Sequence, residues 1–170
     1  MDFLELSQIR YSCRKFSDRP VEDEDVSRVV DAFLAAPTAV DRQPIRLWVV
    51  RSKKRLEDLK ECTRFHFDAP AALIVAYVED EAWVRSYDGK NHGDVDATIA
   101  ATHAMLEIHE LGLGATWVAC FDPDAVKRKF PETEGTVVTA LFPFGYPADD
   151  AEPSPMHFQR KSEKDVVRYL

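Results

Sequence analysis

The stretch from Asp94 to Gly112 constrains what this chain can fold into more than any other. Ala97, Ala101, Ala104, Met105, Ile108 and Leu111 recur at helical spacing and give one helix a wide apolar face. The alanines on that face let a neighbouring element approach closely. Asp94 is placed to cap the start of the helix, and Gly112 to end it as the residue just past the last turn.

Shorter elements alternate around this helix. Asp2 and Glu5 have capping-box spacing ahead of a helix reaching about Ile9, and Val26, Val29, Val30, Phe33 and Leu34 give residues 22–35 a second helical face. Residues 45–50 read as a strand, 53–62 as a surface helix, and 71–78, after Pro70, as an apolar β-rich run. Beyond Gly112 the pattern predicts a strand over 115–120, a helix over 122–129 with Pro123 in its first turn, and a strand over 136–144. An acidic, proline-bearing connection over 148–155 leads to a last short helix from Ser162. Residues 1–170 thus read as a single α+β or α/β domain, with enough apolar residues, 45%, for a sizeable core.

A net charge of −8 opposes general affinity for nucleic acid or anionic membrane and favours a small-molecule partner. Cys13, Cys62 and Cys120 are widely spaced and odd in number, so they suggest neither a disulfide framework nor a metal cluster. The acidic N-terminus and the lack of any membrane-length apolar run lead us to expect a soluble cytoplasmic protein. His103 and His109 lie six apart and point to different sides of their helix, and no metal site is expected. Gly112-Leu113-Gly114 follows a helix and lacks a third glycine, which argues against a dinucleotide fingerprint. No nucleophile elbow is present.

Two basic, turn-rich segments stand out against this acidic background. In Arg10-Tyr11-Ser12-Cys13-Arg14-Lys15-Phe16, an extended backbone would send Arg10, Ser12 and Arg14 to one side, presenting two guanidiniums and a hydroxyl to an anion. The same residues could instead form a solvated turn answering the acids of 22–25. In the second segment, residues 36–44, Pro37 stops a helix and Thr38, Asp41 and Gln43 follow with no helix or strand period. That is a recognition loop or an ordinary helix-to-strand connection.

Together the segments resemble the nitroreductase family, with its Arg-x-Ser-x-Arg/Lys-x-Phe motif and its Ala-Pro-Ser-x-x-Asn-x-Gln-Pro loop. The resemblance continues through Glu110-Leu111-Gly112-Leu113-Gly114, Phe144-Gly145-Tyr146-Pro147 and the basic pair Arg160-Lys161. It implies a three-layer α/β/α fold with a central, mostly antiparallel sheet, an intertwined homodimer, and FMN bound at the dimer interface. Arg10, Arg160 and Lys161 would then balance the phosphate, and Tyr11, Ser12 and Arg14 would reach the ribityl and pyrimidine end. Arg14 would also tune the ring. Pro37, Thr38, Ala39, Asp41 and Gln43 would line the ring, and Val118 and Ala119 would offer backbone donors at its reactive edge. Thr38 keeps the hydroxyl of the family's Ser, whereas Asp41 replaces an Asn and loses its amide donors. The implied activity is an FMN-dependent oxidoreductase that uses NADH or NADPH to reduce an electron-poor acceptor by a ping-pong mechanism. A flavin-binding or ligand-sensing module with little turnover is the alternative.

Overall fold

A computed structural model describes residues 2–170. Its ordered elements are α1 (Phe3–Ile9), α2 (Asp23–Leu34), β1 (Ile45–Val50), α3 (Lys53–Lys60), β2 (Ala71–Tyr77), α4 (Gly93–Glu110), β3 (Gly114–Ala115), α5 (Pro123–Lys129), β4 (Val137–Gly145) and α6 (Glu163–Val166). The four strands form one sheet in the order β1-β2-β4-β3, each neighbouring pair antiparallel.

Alternation along the central strands builds three layers. Leu73 and Val75 of β2, with Ala140, Phe142 and Phe144 of β4, face a core shared with Val29 and Phe33 of α2 and the alanine face of α4. Ala72, Ile74 and Leu141 point to the opposite face and pack with Leu59 of α3 and with Ala125 and Val126 of α5. Each fully buried phenylalanine or leucine in these cores stabilises the fold by about 1.5–3 kcal/mol. The alanines expected to permit close packing, at 97, 101 and 104, sit at 0–1% exposure where α4 lies against the sheet, and Ala100 joins them at 0%.

The caps explain where the helices begin. Asp2 accepts the Glu5 N–H at 2.8 Å, as its spacing predicts, and Asp122, which lies just ahead of α5 rather than inside it, accepts the Asp124 N–H at 2.9 Å. At α4 the expectation needs correction, because the helix starts at Gly93 and Asp94 lies inside its first turn. Asn91 Oδ1 takes the Gly93 N–H at 2.8 Å, and Asp94 instead accepts the Thr139 hydroxyl at 3.0 Å, from the residue at a bulge in β4. Gly93 is required there, since a Cβ would lie 2.1 Å from the Tyr77 ring.

The strand expected over 115–120 also needs correction: β3 is two residues long, followed by an isolated bridge between Val118 and Leu141. The register of Ala115 with Phe144 is kept at Val118 with Leu141, and the Thr116 N–H still donates to the Pro143 carbonyl at 3.2 Å. Pro143 has no N–H to return, so the ladder loses a rung although the strands stay aligned.

Candidate functional site

The first basic segment is extended, and the sheet holds it so. Ser12 bridges Ala115 in parallel, the Cys13 N–H donates to the Ala115 carbonyl at 3.0 Å, and the buried Thr116 hydroxyl donates to the Cys13 carbonyl. Further along, the Ser17 N–H donates to the Tyr146 carbonyl at 2.9 Å and the Ala148 N–H to the Lys15 carbonyl at 3.1 Å. Cys13 is wholly buried, which turns Ser12 and Arg14 to the other side of the ribbon. This packing also gives Gly112-Leu113-Gly114 its reason. Gly112 ends α4 at φ +75°, Leu113 is buried, and a Cβ on Gly114 would lie 2.5 Å from that of Cys13.

Positive charge converges where this ribbon begins. Arg10 caps α1, and its pKa is lowered first by burial and then by repulsion from Arg160. His109 is likewise lowered, by burial and then by Arg10, and its ring meets Tyr11 edge-on with centroids 6.4 Å apart. Among the described residues, none of Arg10, Arg14, Arg160 and Lys161 forms an ion pair. In a chain with 30 acids and 22 bases, that leaves the neighbouring Arg10 and Arg160 suited to an anion. Arg14 folds back onto the Ser12 carbonyl at 3.1 Å, and Lys161 is exposed.

The second segment is a tight loop held in unusual backbone. Val40, Asp41 and Gln43 have φ of 54°, 53° and 51°, left-handed values that cost on the order of 1–3 kcal/mol each in non-glycine residues. Thr38 organises it: its carbonyl accepts the Asp41 N–H and its hydroxyl the Gln43 N–H, both at 3.0 Å. Gln43 Nε2 donates to Asp41 Oδ1 at 2.9 Å, so the carboxylate at the family's Asn position is engaged within the loop. Pro37 is exposed, and the Ala39 N–H donates to Asp96 Oδ1 of α4 at 2.8 Å.

These two groups of residues are not brought together within one chain. The loop docks at Asp96 and the cationic ribbon at His109, and the helix between them rises about 20 Å at 1.5 Å per residue. Val118 is core, with its N–H given to the Leu141 carbonyl at 2.9 Å, while Ala119 and Cys120 lie exposed beyond it. Asp96 and His109 escape a sequence reading, since a carboxylate in a first turn and a histidine in a last turn look like ordinary helix-end charges. A groove of about 640 Å³ between Val78–Asp80 and the end of α5 is lined by none of the residues of the two basic segments or of the Arg160-Lys161 pair. Burial of Cys13 and Cys62, the latter with its thiol pKa pushed up to about 11, leaves those thiols unreactive.

An antiparallel sheet between two helical layers, with a basic ribbon at the end of its long helix and a strained loop at the start, defines a fold already represented among solved structures. The chain belongs to the nitroreductase family, whose profile matches residues 8–64 and 58–146. A crystal structure of a nitroreductase family protein from Clostridium difficile 630 superposes with a TM-score of 0.92 at 36% identity, covering 99% of this chain and 98% of that one. Among named relatives, a protein of Methanothermobacter thermautotrophicus provisionally named an NADH dehydrogenase/NAD(P)H nitroreductase is 32% identical over 88% of this chain and 80% of its own length. One of Archaeoglobus fulgidus with the same provisional name is 28% identical, over 88% and 87%.

Proposed function

We propose that the protein is an oxidoreductase of the NAD(P)H nitroreductase type, with FMN as its resident cofactor. The observation that carries this reading is the convergence of Arg10 and Arg160, mutually repelling and without acidic partners, beside a ribbon that turns Ser12 and Arg14 outward. Such a pair fits a phosphate monoester, whose charge would relieve the repulsion. Arg10, Arg160 and Lys161 would hold the phosphate, and Ser12 and Arg14 the polar chain and pyrimidine edge. Arg14, at the pyrimidine, would stabilise negative charge on the reduced ring, whereas Asp41 would oppose it. When bound, FMN supplies a ring that takes hydride from NADH or NADPH and passes the electrons to an electron-poor acceptor, such as a nitroaromatic or quinone, in a ping-pong sequence. Thr38, Ala39 and Gln43 would line the ring, and the exposed backbone at Ala119 would border its reactive edge.

The reading includes a homodimer. The cationic ribbon and the loop lie too far apart along α4 for one chain to close them around one flavin, and a second copy related by a twofold axis would bring each to the other. Phe3, Leu4, Ile9 and Leu34 of the helices, and Met156, Phe158, Tyr169 and Leu170 of the tail, are exposed apolar side chains suited to such an interface.

An absorption spectrum of the purified protein, taken before and after anaerobic addition of NADH or NADPH with the released cofactor identified by mass, tests the proposal. A flavin band that bleaches, followed by multiple turnovers with a quinone, is expected. A colourless protein that takes up no added FMN would overturn it. The internal bond from Gln43 to Asp41 favours the alternative of a flavin-holding module, and bleaching without turnover would select that.

A further inference from the structure

Of the hydrogen bonds made by residues 38–43 among the described residues, the one that leaves the loop runs to Asp96. Asp96 is 1% exposed, and its Oδ1 accepts the Ala39 N–H at 2.8 Å. Its Oδ2 is buried with no protein partner. The carboxylate lies in the first turn of an 18-residue helix, whose N-terminal field stabilises negative charge there. Immediately after Ala39 comes Val40, a β-branched residue at φ 54°. No local preference of valine holds that conformation, so the bonds around it must. The bonds from Thr38 close the turn on itself but do not fix it to the domain.

We propose that Asp96 is a positioning residue for the 38–43 loop. By anchoring Ala39 it holds the left-handed turn in which Thr38, Asp41 and Gln43 face the cofactor, and it ties the loop to the same helix whose far end carries the cationic ribbon. The inference rests on the flavin reading for its consequence, whereas the anchor itself does not.

The test compares Asp96→Ala, Asp96→Asn and the double variant Asp96→Ala/Val40→Gly, each with a far-UV spectrum matching the wild type. Two readouts are taken: exchange of the Ala39 amide by NMR in the cofactor-free protein, and FMN affinity by flavin fluorescence. In Asp96→Ala, amide exchange should accelerate and FMN affinity weaken, each by about tenfold, the loss of one charge-assisted bond. Asp96→Asn keeps an acceptor oxygen at nearly unchanged volume and should restore both to within about threefold. Val40→Gly removes the steric penalty of the turn and should recover part of the affinity lost in Asp96→Ala. Wild-type exchange in Asp96→Ala, or an Asp96→Asn variant as impaired as Asp96→Ala, would overturn the proposal. A wild-type protein that binds no FMN would sink the flavin reading alone, and the Ala39 exchange would still decide the anchor.

Discussion

Burial and then the neighbouring Arg160 disfavour the charge on Arg10, and in the proposed site a bound phosphate would relieve this, so its removal should affect the ligand more than the fold. Arg10→Gln is expected to weaken FMN binding by about 10–100-fold, the worth of a hydrogen bond to a charged group, with little change in melting temperature. Titration of the apoprotein with FMN measures it. His109 gives a second expectation, because its pKa lies below the ordinary 6.5 through burial first and Arg10 second. A base lowered in the folded state binds fewer protons there than in the unfolded chain. Its neutral form therefore supports the fold fully above the ordinary value, and that support is lost as pH falls from 6.5 through the lowered folded value. Melting temperatures between pH 7.5 and pH 5 should fall less steeply in His109→Gln than in wild type, a window set by the ordinary histidine pKa of about 6.5. Bound phosphate should stabilise the imidazolium, so wild-type FMN binding in that window should take up protons, seen as a buffer-dependent binding enthalpy.

At the scale of elements, Gly114 makes a sharp forecast, because the Cys13 side chain, with the Pro147 ring beside it, occupies the space where a methyl group would go. Gly114→Ala should destabilise the protein by about 1–3 kcal/mol and loosen the ribbon that carries Ser12 and Arg14, as denaturant midpoints would show. The Gly-Leu-Gly motif could be quoted from the sequence, yet its purpose could not, since Cys13 is a hundred residues away. The same division runs through the fold. Helices α1, α2 and α5 and strands β1, β2 and β4 were legible because period and caps are local. The broken rung after β3 depends on a proline in a different strand. The start of α4 depends on Asn91 outcompeting Asp94, which is drawn off by Thr139. Of the site, the two motifs were readable as composition and spacing. Their placement at opposite ends of α4, and the anchor at Asp96, arise from tertiary contacts that no window of sequence contains.

For the whole molecule, the proposed pairing of two chains is a matter of mass and surface. Light scattering should give twice the 19.3 kDa of one chain at micromolar concentration, and Phe158→Arg, which puts charge on an exposed apolar position of the tail, should shift the protein toward monomer. A monomeric wild type would remove the dimer from the reading. The roughly 20 Å that separates ribbon from loop along α4 then has a consequence in the test tube. If each crevice is stitched from two molecules, yellow colour becomes a gauge of partnership. Diluting the sample would bleach it out of proportion to the protein lost, and adding free flavin would pull separated chains back together.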